Sequence, residues 1–282
     1  ANMSHELRTP LNSILILSQL LSENKNNVLG EKEAEYAKNI YSSGSDLLNL
    51  INEILDLSKV EAGKMELDIA EVQIESIRTD MTSMFSEVAK TKSIEFNITI
   101  AKDSHNTIFT DQLRLNQILR NLLSNAFKFT ENGGRVDLII GKPSSDIVFR
   151  TLALSGSAET VVFTIRDSGI GIPYEKQAII FEAFQQADGS TKRKYGGTGL
   201  GLSICRELAN ALGGEIHVES KEGEGSSFTL YLPHQFDPSK RMHSTKPGPS
   251  EKSPGRSNPH NRPAKIPVSE GDIVDDRYGV HE

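Results

Sequence analysis

Two apolar stripes near the start of the chain constrain its fold more than any other feature. Leu7, Leu11, Ile14, Ser18 and Leu21 step by 4, 3, 4 and 3 residues. At about 100° per residue they fall within about 40° of one line on a helix. Residues 24–30 (NKNNVLG) read as a turn. A second helix then carries Ala37, Ile40, Gly44, Leu47, Ile51, Ile54 and Ser58 in the same alternation, with Leu48 and Leu55 widening the face. A hairpin of two helices is too thin to cover both stripes. Two solutions remain open: two copies forming a four-helix bundle, or a hairpin packed on the rest of its own chain.

From about residue 64 the pattern changes to mixed strands and helices. Residues 64–68 read as a short strand, and Ile74, Ile77, Met81, Met84, Phe85 and Val88 mark an amphipathic helix. Ile94, Phe96, Ile98 and Ile100 alternate as a half-buried strand does. Asp111 caps a helix running to about Lys128. Strands are expected at 136–140, 147–154, 161–165, 216–218 and 228–232, and helices at 174–181 and 200–212. Helices beside a largely antiparallel sheet make this part an α+β sandwich.

The tail, 234–282, differs again. It holds seven of the eleven prolines and four of the seven histidines, and its apolar residues have no period. Such a segment cannot offset its ordering entropy by burial and is expected to be a disordered linker. The chain as a whole has 31 basic and 38 acidic residues, a net charge of −7, which gives no electrostatic case for nucleic-acid binding. The single cysteine, Cys205, allows no internal disulfide, fits a reducing compartment and reads as a packed small residue. No apolar run approaches the roughly 20 residues of a membrane span. The chain opens at Ala1 inside a helix, without an initiator Met or a signal peptide, and is expected to be a fragment of something longer.

Several residues carry possible chemistry. His5 lies about 160° from the apolar seam, with Thr9 and Asn12 on the same face. Glu6 is its neighbour, and Pro10 interrupts the helix nearby. An exposed helical histidine is by itself an ordinary surface residue; with a carboxylate beside it, one ring nitrogen can be held and the other left nucleophilic. On the helix after Asp111, Asn121, Asn125 and Lys128 share one face, extended by Arg114 and Gln117. This stripe is either a wet face or a site where amide oxygens meet a hard cation and Lys meets phosphate. Residues 167–173 (DSGIGIP) follow a strand. They form either a plain turn or a backbone approach to a ligand, with Asp167 accepting from an exocyclic amine. Residues 196–201 (GGTGLG) open a helix, where backbone N–H groups and the dipole favour phosphate. They match neither the dinucleotide fingerprint nor a Walker motif. Between the glycine segments, residues 185–195 end in Lys192, Arg193 and Lys194 and read as a lid or as a solvated basic loop. His105 and His217 lack ligand-spaced partners and are expected to be structural.

In this order, these segments resemble the catalytic core of a sensor histidine kinase of two-component signalling. Residues 4–10 (SHELRTP) are similar to its H box and 121–130 (NLLSNAFKFT) to its N box. Residues 167–173 resemble the first glycine box, 181–184 (FEAF) the F box, and 197–202 (GTGLGL) the second glycine box. The resemblance implies a dimerisation and phosphotransfer hairpin (1–66), then an ATP-binding domain (67–233) of the gyrase, Hsp90, histidine kinase and MutL type. It implies autophosphorylation of His5 from ATP, with Glu6 as base, and transfer to a receiver aspartate in a fused or separate response regulator. By the same resemblance Asn121 and Asn125 hold Mg²⁺, Lys128 meets phosphate, and Asp167 reads adenine. Gly169, Gly171, Phe184, Arg193, Lys194, Gly197, Thr198, Gly199, Leu200 and Gly201 line the nucleotide. Thr9 would position a water for receiver phosphatase activity. A cytoplasmic homodimer is implied that touches neither nucleic acid nor membrane in this part, whether or not a longer protein carries an anchor.

Three features bear on that resemblance. Residues 144–159 (SSDIVFRTLALSGSAE) are longer than the hairpin usual there. The H box stands at the start, so the bundle is expected to be truncated, with the second helix unpartnered near residues 54–58. The closing Asp275, Asp276 and Arg277 resemble the lead-in to a receiver domain of a hybrid kinase. An ATPase switch without histidine chemistry is disfavoured by His5 and its hairpin, and a scaffold with a degenerate pocket by Asn125, Asp167 and both glycine boxes.

Overall fold

The computed structural model describes residues 2–24, 28–143, 147–155, 157, 159–183 and 199–238. All lie within one compact unit, 1–244. The expected linker beyond residue 238 and the expected lid at 185–195 fall outside the described residues.

Two helices come first: α1 (Asn2–Glu23), which contains Pro10, and α2 (Glu31–Glu61). Asn24 closes the turn between them in a left-handed conformation, φ +38°. Its side chain both donates to the Leu29 carbonyl (2.8 Å) and accepts from the Leu29 N–H (3.0 Å). Leu11, Leu15 and Ser18 are buried on α1, facing Gly44 of α2 through the Leu11 and Leu15 side chains. The expected stripe is therefore split. Ile14 (49% exposed), Leu21 (51%) and Ile40 (51%) stay open to solvent.

The second helix is not left unpartnered at its end, contrary to the sequence expectation. Leu50, Leu57 and Val60 pack against the core of the sheet region. Asp56 accepts hydrogen bonds from Arg114 and Gln117, both at 3.1 Å.

The remaining elements are β1 (Ala70–Gln73), α3 (Ile74–Thr91), β2 (Glu95–Ile100), β3 (Thr107–Thr110), α4 (Gln112–Phe129) and β4 (Arg135–Gly141). They continue with α5 (Leu152–Ser155), β5 (Thr160–Asp167), α6 (Tyr174–Gln177), α7 (Gly201–Ala211), β6 (Glu215–Lys221) and β7 (Gly225–Pro233). Five strands form one sheet in the order β2-β4-β5-β7-β6, with only β2–β4 parallel; β1 and β3 make a small antiparallel pair. Leu115, Ile118, Leu119, Leu122 and Leu123 of α4 are buried in one cluster with Leu138, Ile140, Phe163, Ile165 and Leu230 of the sheet. Among the described residues, no helix is long and apolar enough to cross a membrane.

Two expected strands are absent. Residues 64–68 are irregular, although Met65 is buried, and the strand forms later as β1. Residues 147–154 are irregular and then helical (α5). Their apolar residues cover a second cluster, where Leu154, Ile147 and Phe149 meet Val162 and Tyr231. A carboxylate fixes that segment: Glu215 Oε1 accepts from the Arg150 N–H (2.7 Å) and from the N–H and hydroxyl of Thr151. The alternation of residues 147–154 thus reports one-sided burial, satisfied without a strand. The helix expected at 174–181 is also shorter, since turns follow Gln177.

Candidate functional site

Helix α4 is the frame of the site. Asp111 starts it: Oδ1 accepts from the Arg114 N–H (3.0 Å), as an N-cap does, and Oδ2 accepts from the Asp68 N–H (3.0 Å). The helix buries one face, and Asn121, Asn125 and Lys128 lie on the other, each half-buried. Arg114 and Gln117, which extend this stripe in the sequence, are instead held by Asp56 of α2.

Each end of the polar stripe meets one glycine segment. At the first end, a Cβ on Gly201 would stand 3.2 Å from Asn121 Oδ1, so α7 opens directly against that amide. The Asn121 side chain also hydrogen-bonds the Cys205 thiol, whose pKa burial drives far upward. Cys205 is packed and unreactive, as the sequence suggests. At the other end, the Ile170 N–H reaches the Phe129 carbonyl (3.3 Å), and a Cβ on Gly169 would lie 2.5 Å from the same oxygen. Gly171 has φ +68°, and a side chain there would overlap the Lys221 backbone. Only glycine fits both places. Asn121 and Phe129 are eight residues apart, about 12 Å along the helix.

Asp167 ends β5 and is buried. Its Oδ1 accepts from the Gly169 N–H at 2.9 Å. Burial pushes its pKa up, opposed by the backbone N–H groups of Gly169 and Ser226. A carboxylate held away from water on two N–H groups is a positioned acceptor, which suits an amine donor better than a solvated one would. Lys128 stands 5.1 Å over the Phe129 ring, and burial lowers its pKa. Thr130, next in sequence, has a buried hydroxyl without a partner among the described residues.

Leu200 differs from its sequence reading in one respect. The whole residue is buried in the core rather than lining an open surface. Its carbonyl starts α7 by accepting from Ile204 N (2.9 Å) and Ser203 Oγ (2.8 Å). Gly199 has φ +73°. Phe184, Arg193, Lys194, Gly197 and Thr198 lie outside the described residues, as do the side chains of His5 and Glu6. The backbone of His5 belongs to α1, and Thr9 and Asn12 are exposed on that helix, as the periodicity predicts.

Sequence reasoning missed Ser226, whose N–H supports Asp167 from the neighbouring strand, and Asp56, the acceptor of Arg114 and Gln117. Neither has a local signature, because both act through strand or helix pairing. It also missed the partners of two histidines. His217 Nε2 lies 3.0 Å from Glu215 Oε2, and His105 meets Glu159 and His234.

Comparison with known proteins places the two parts of the chain in known families. Residues 1–63 match the His Kinase A (phospho-acceptor) domain. Residues 110–235 match the histidine kinase-, DNA gyrase B- and HSP90-like ATPases. The chain is 41% identical over 236 residues to the circadian input-output histidine kinase CikA of Synechococcus elongatus, covering 83% of this chain and 29% of that protein. It is 38% identical over 238 residues to the signal transduction histidine-protein kinase BarA of Escherichia coli, covering 84% and 24%. The chain thus spans only about a quarter of the length of these relatives. Full-length ShkA, solved in complex with AMPPNP, superposes with a TM-score of 0.67 at 33% identity, over 83% of this chain and 45% of that one.

Proposed function

This chain belongs to the histidine kinases and holds their phosphoacceptor and ATPase domains, and from that premise we propose that it phosphorylates His5 from ATP and passes the phosphoryl group to a receiver aspartate. The observation that carries this reading is the meeting of both glycine segments with one helix, Gly201 at Asn121 and Gly169 at Phe129. That spacing suits a nucleotide laid along α4, base at one end and phosphates at the other.

In this reading Asp167 accepts from the exocyclic amine of adenine. Its burial keeps water from competing for the bond. The N-terminal N–H groups of α7 offset phosphate charge through the helix dipole, and Lys128, which stands over the Phe129 ring at the base end, would extend along α4 to meet the phosphates. Phe184, Arg193, Lys194, Gly197, Thr198 and Gly199 would complete the enclosure. Amide oxygens are hard donors, so Asn121 and Asn125 fit Mg²⁺, which when bound supplies compensating charge to the phosphates.

The transfer then needs only placement. A ring nitrogen of His5 forms the bond to the γ-phosphorus, the bond to the β–γ bridging oxygen breaks, and ADP leaves. Glu6 takes the proton from the other ring nitrogen. In the second step the receiver carboxylate takes the phosphoryl group and His5 is restored. Thr9, one turn from His5, would orient a water that hydrolyses the receiver's acyl phosphate to free phosphate, the phosphatase function. The open stripe of Ile14, Leu21 and Ile40 supports a homodimer closing a four-helix bundle. A receiver on the same or another chain, and a cytoplasmic setting, complete the proposal.

Incubation with γ-labelled ATP tests it. The label should be acid-labile and base-stable, and His5→Gln should remove it while ATP affinity stays within about twofold. Label that survives His5→Gln overturns the assignment.

A further inference from the structure

We propose that His105, Glu159 and His234 form a binding site for a divalent transition-metal ion of the zinc class, where the chain leaves the central sheet. The inference is independent of the nucleotide reading and involves none of its residues.

The three residues come from distant parts of the sequence, and backbone bonds pin them together. His105 lies in the connection between β2 and β3, Glu159 just before β5, and His234 just after β7. The His234 N–H donates to the Glu159 carbonyl (3.0 Å), and the His234 carbonyl accepts from the Phe109 N–H (2.9 Å). Phe236 N then reaches the Phe109 carbonyl (3.3 Å), so the exit strand is tied on both sides of His234.

On this frame the ligand atoms converge. His105 Nε2 lies 3.5 Å and His234 Nδ1 3.6 Å from the same oxygen, Glu159 Oε2. All three atoms lie within 4.8 Å of one another. A tetrahedral zinc ion with bonds of about 2.0–2.1 Å holds its ligand atoms about 3.4 Å apart. Two of the three edges are therefore near the required length before any ion arrives.

The hydrogen-bond balance points the same way. His105 Nε2 is buried and has no hydrogen-bond partner among the described residues. A buried polar atom left unpaired costs free energy, and a metal bond would satisfy it. Both imidazoles are largely buried, with centroids 4.2 Å apart and planes 25° from parallel, so one ring must turn about its χ angles to aim its nitrogen at a shared ion, while Glu159 is half exposed and gives the ion a way in. Burial and the neighbouring His234 lower the pKa of His105, against the pull of Glu159; the neutral ring is the form that binds metal.

The donor set selects the ion. Two imidazoles and one carboxylate suit Zn²⁺, Co²⁺, Ni²⁺ or Cu²⁺, whereas Mg²⁺ and Ca²⁺ prefer an all-oxygen shell. Three protein ligands leave one position for water. Because His234 follows β7 directly, the ion would fasten the exit of the chain to the β2–β3 connection and to the start of β5. Without the ion, the same cluster is a stacked histidine pair beside a carboxylate.

The test uses the full chain, freed of metal by chelation, and no nucleotide. Titration with Co²⁺ should give d–d absorption in the visible that saturates at one equivalent, and Zn²⁺ should quench it by displacement. Excess Mg²⁺ should not. Zn²⁺ should also raise the thermal midpoint by several degrees. Glu159→Gln, at an exposed position where misfolding is not expected, should weaken binding at least tenfold, and so should His234→Ala. His243→Ala and His260→Ala should leave it unchanged. Nitrogen-detected spectra of the wild-type imidazoles provide a readout that depends on no variant: Zn²⁺ should shift His105 Nε2 and His234 Nδ1. Absence of saturable cobalt binding, or one-equivalent binding indifferent to Glu159→Gln and without those shifts, overturns the proposal.

Discussion

Phe163, Ile118, Leu119 and Leu138 in the sheet region are fully buried, while Ile14, Leu21, Ile40 and Leu47 on the hairpin are each about half exposed. The two sets are equally apolar and equally periodic. The sheet region stacks helices α3, α4 and α7 against the sheet in one core, so most of its apolar residues find a second layer within the chain, with Met84 and Val88 at the edge of the α3 stripe left exposed. A two-helix hairpin has no second layer except where α2 continues onto the core. The lesson concerns what a period encodes: it fixes which residues face one way, and the thickness of the fold decides whether anything covers them.

The comparison breaks most sharply at Phe163. Phe163→Ala should cost about 3–5 kcal/mol, since it removes a fully buried ring from a cluster that cannot close the gap. Gly214→Ala belongs to the same class, because a Cβ there would overlap the Tyr231 carbonyl. Ile14→Ala should cost the monomer less than about 1 kcal/mol, in proportion to its remaining burial. Its larger effect should be on the proposed dimer, with dissociation at higher protein concentration. Denaturant unfolding together with sedimentation separates the two. Equal losses of monomer stability at Phe163 and Ile14 would remove the distinction between the regions.

A second prediction sharpens the contrast within the sheet region, between two carboxylates held oppositely. Asp167 is held at a raised pKa by burial. Glu215 is buried too, but the hydrogen bonds of Thr151, His217 and Arg150 outweigh that burial and hold it below the usual range. The signs follow. Glu215 contributes stability above its unfolded pKa, and that contribution is lost as pH falls through its lower folded value. Asp167 opposes folding when ionised, so its contribution improves as pH falls through its raised folded value. ATP affinity should move the other way at that group. The ionised Asp167 is the acceptor, so binding should weaken on acidification sooner than an ordinary carboxylate would allow. Asp167→Asn should lower affinity by roughly tenfold to a hundredfold at neutral pH, the worth of a charged hydrogen bond, about 1.5–3 kcal/mol. It should also flatten the acid limb of the affinity profile. Calorimetry across weakly acidic pH decides this; unchanged affinity in Asp167→Asn would detach that residue from the base.

The same contrast explains what was legible in the sequence. Helix α4 was readable from Asp111 to its end, because a cap, a period and a polar stripe coincide there. The first glycine segment was readable because only glycine tolerates the approach of Phe129 O or the Lys221 backbone. Strand β1 was not, because Ala70, Glu71, Val72 and Gln73 bury only Val72 and carry no alternation. Residues 147–154 misled for the opposite reason, as their apolar spacing imitates a strand while Glu215 holds them in another form. The gathering of His105, Glu159 and His234 depends on pairing between β5 and β7, which no local window contains. Asp56 could be assigned to Arg114 and Gln117 only once α2 was seen to run onto the core.

The smallest expected effect lies at Gly44, in the middle of α2, and it probes how loosely the hairpin is packed. A Cβ there would stand 2.9 Å from Leu15 Cδ2 and 3.6 Å from Leu15 Cγ. Both atoms belong to one flexible side chain, and no backbone atom stands within 4 Å among the three nearest. Alanine gains about 0.5–1 kcal/mol over glycine in a helix interior, through the entropy of the unfolded chain. Against this stands the cost of moving Leu15 off its best rotamer, about 0.5–1.5 kcal/mol. The two terms nearly cancel. Gly44→Ala should therefore leave stability within about 0.5 kcal/mol of wild type, whereas the same change at Gly214 meets a carbonyl that cannot yield. Thermal melts of Gly44→Ala, alone and combined with Leu15→Val, give the measurement. The combined variant should recover the helix gain that Leu15 conceals, less the lost methylene. A loss above about 2 kcal/mol in Gly44→Ala alone would show that the hairpin is packed as rigidly as the sheet region, and the difference between the two regions would then be one of exposure only.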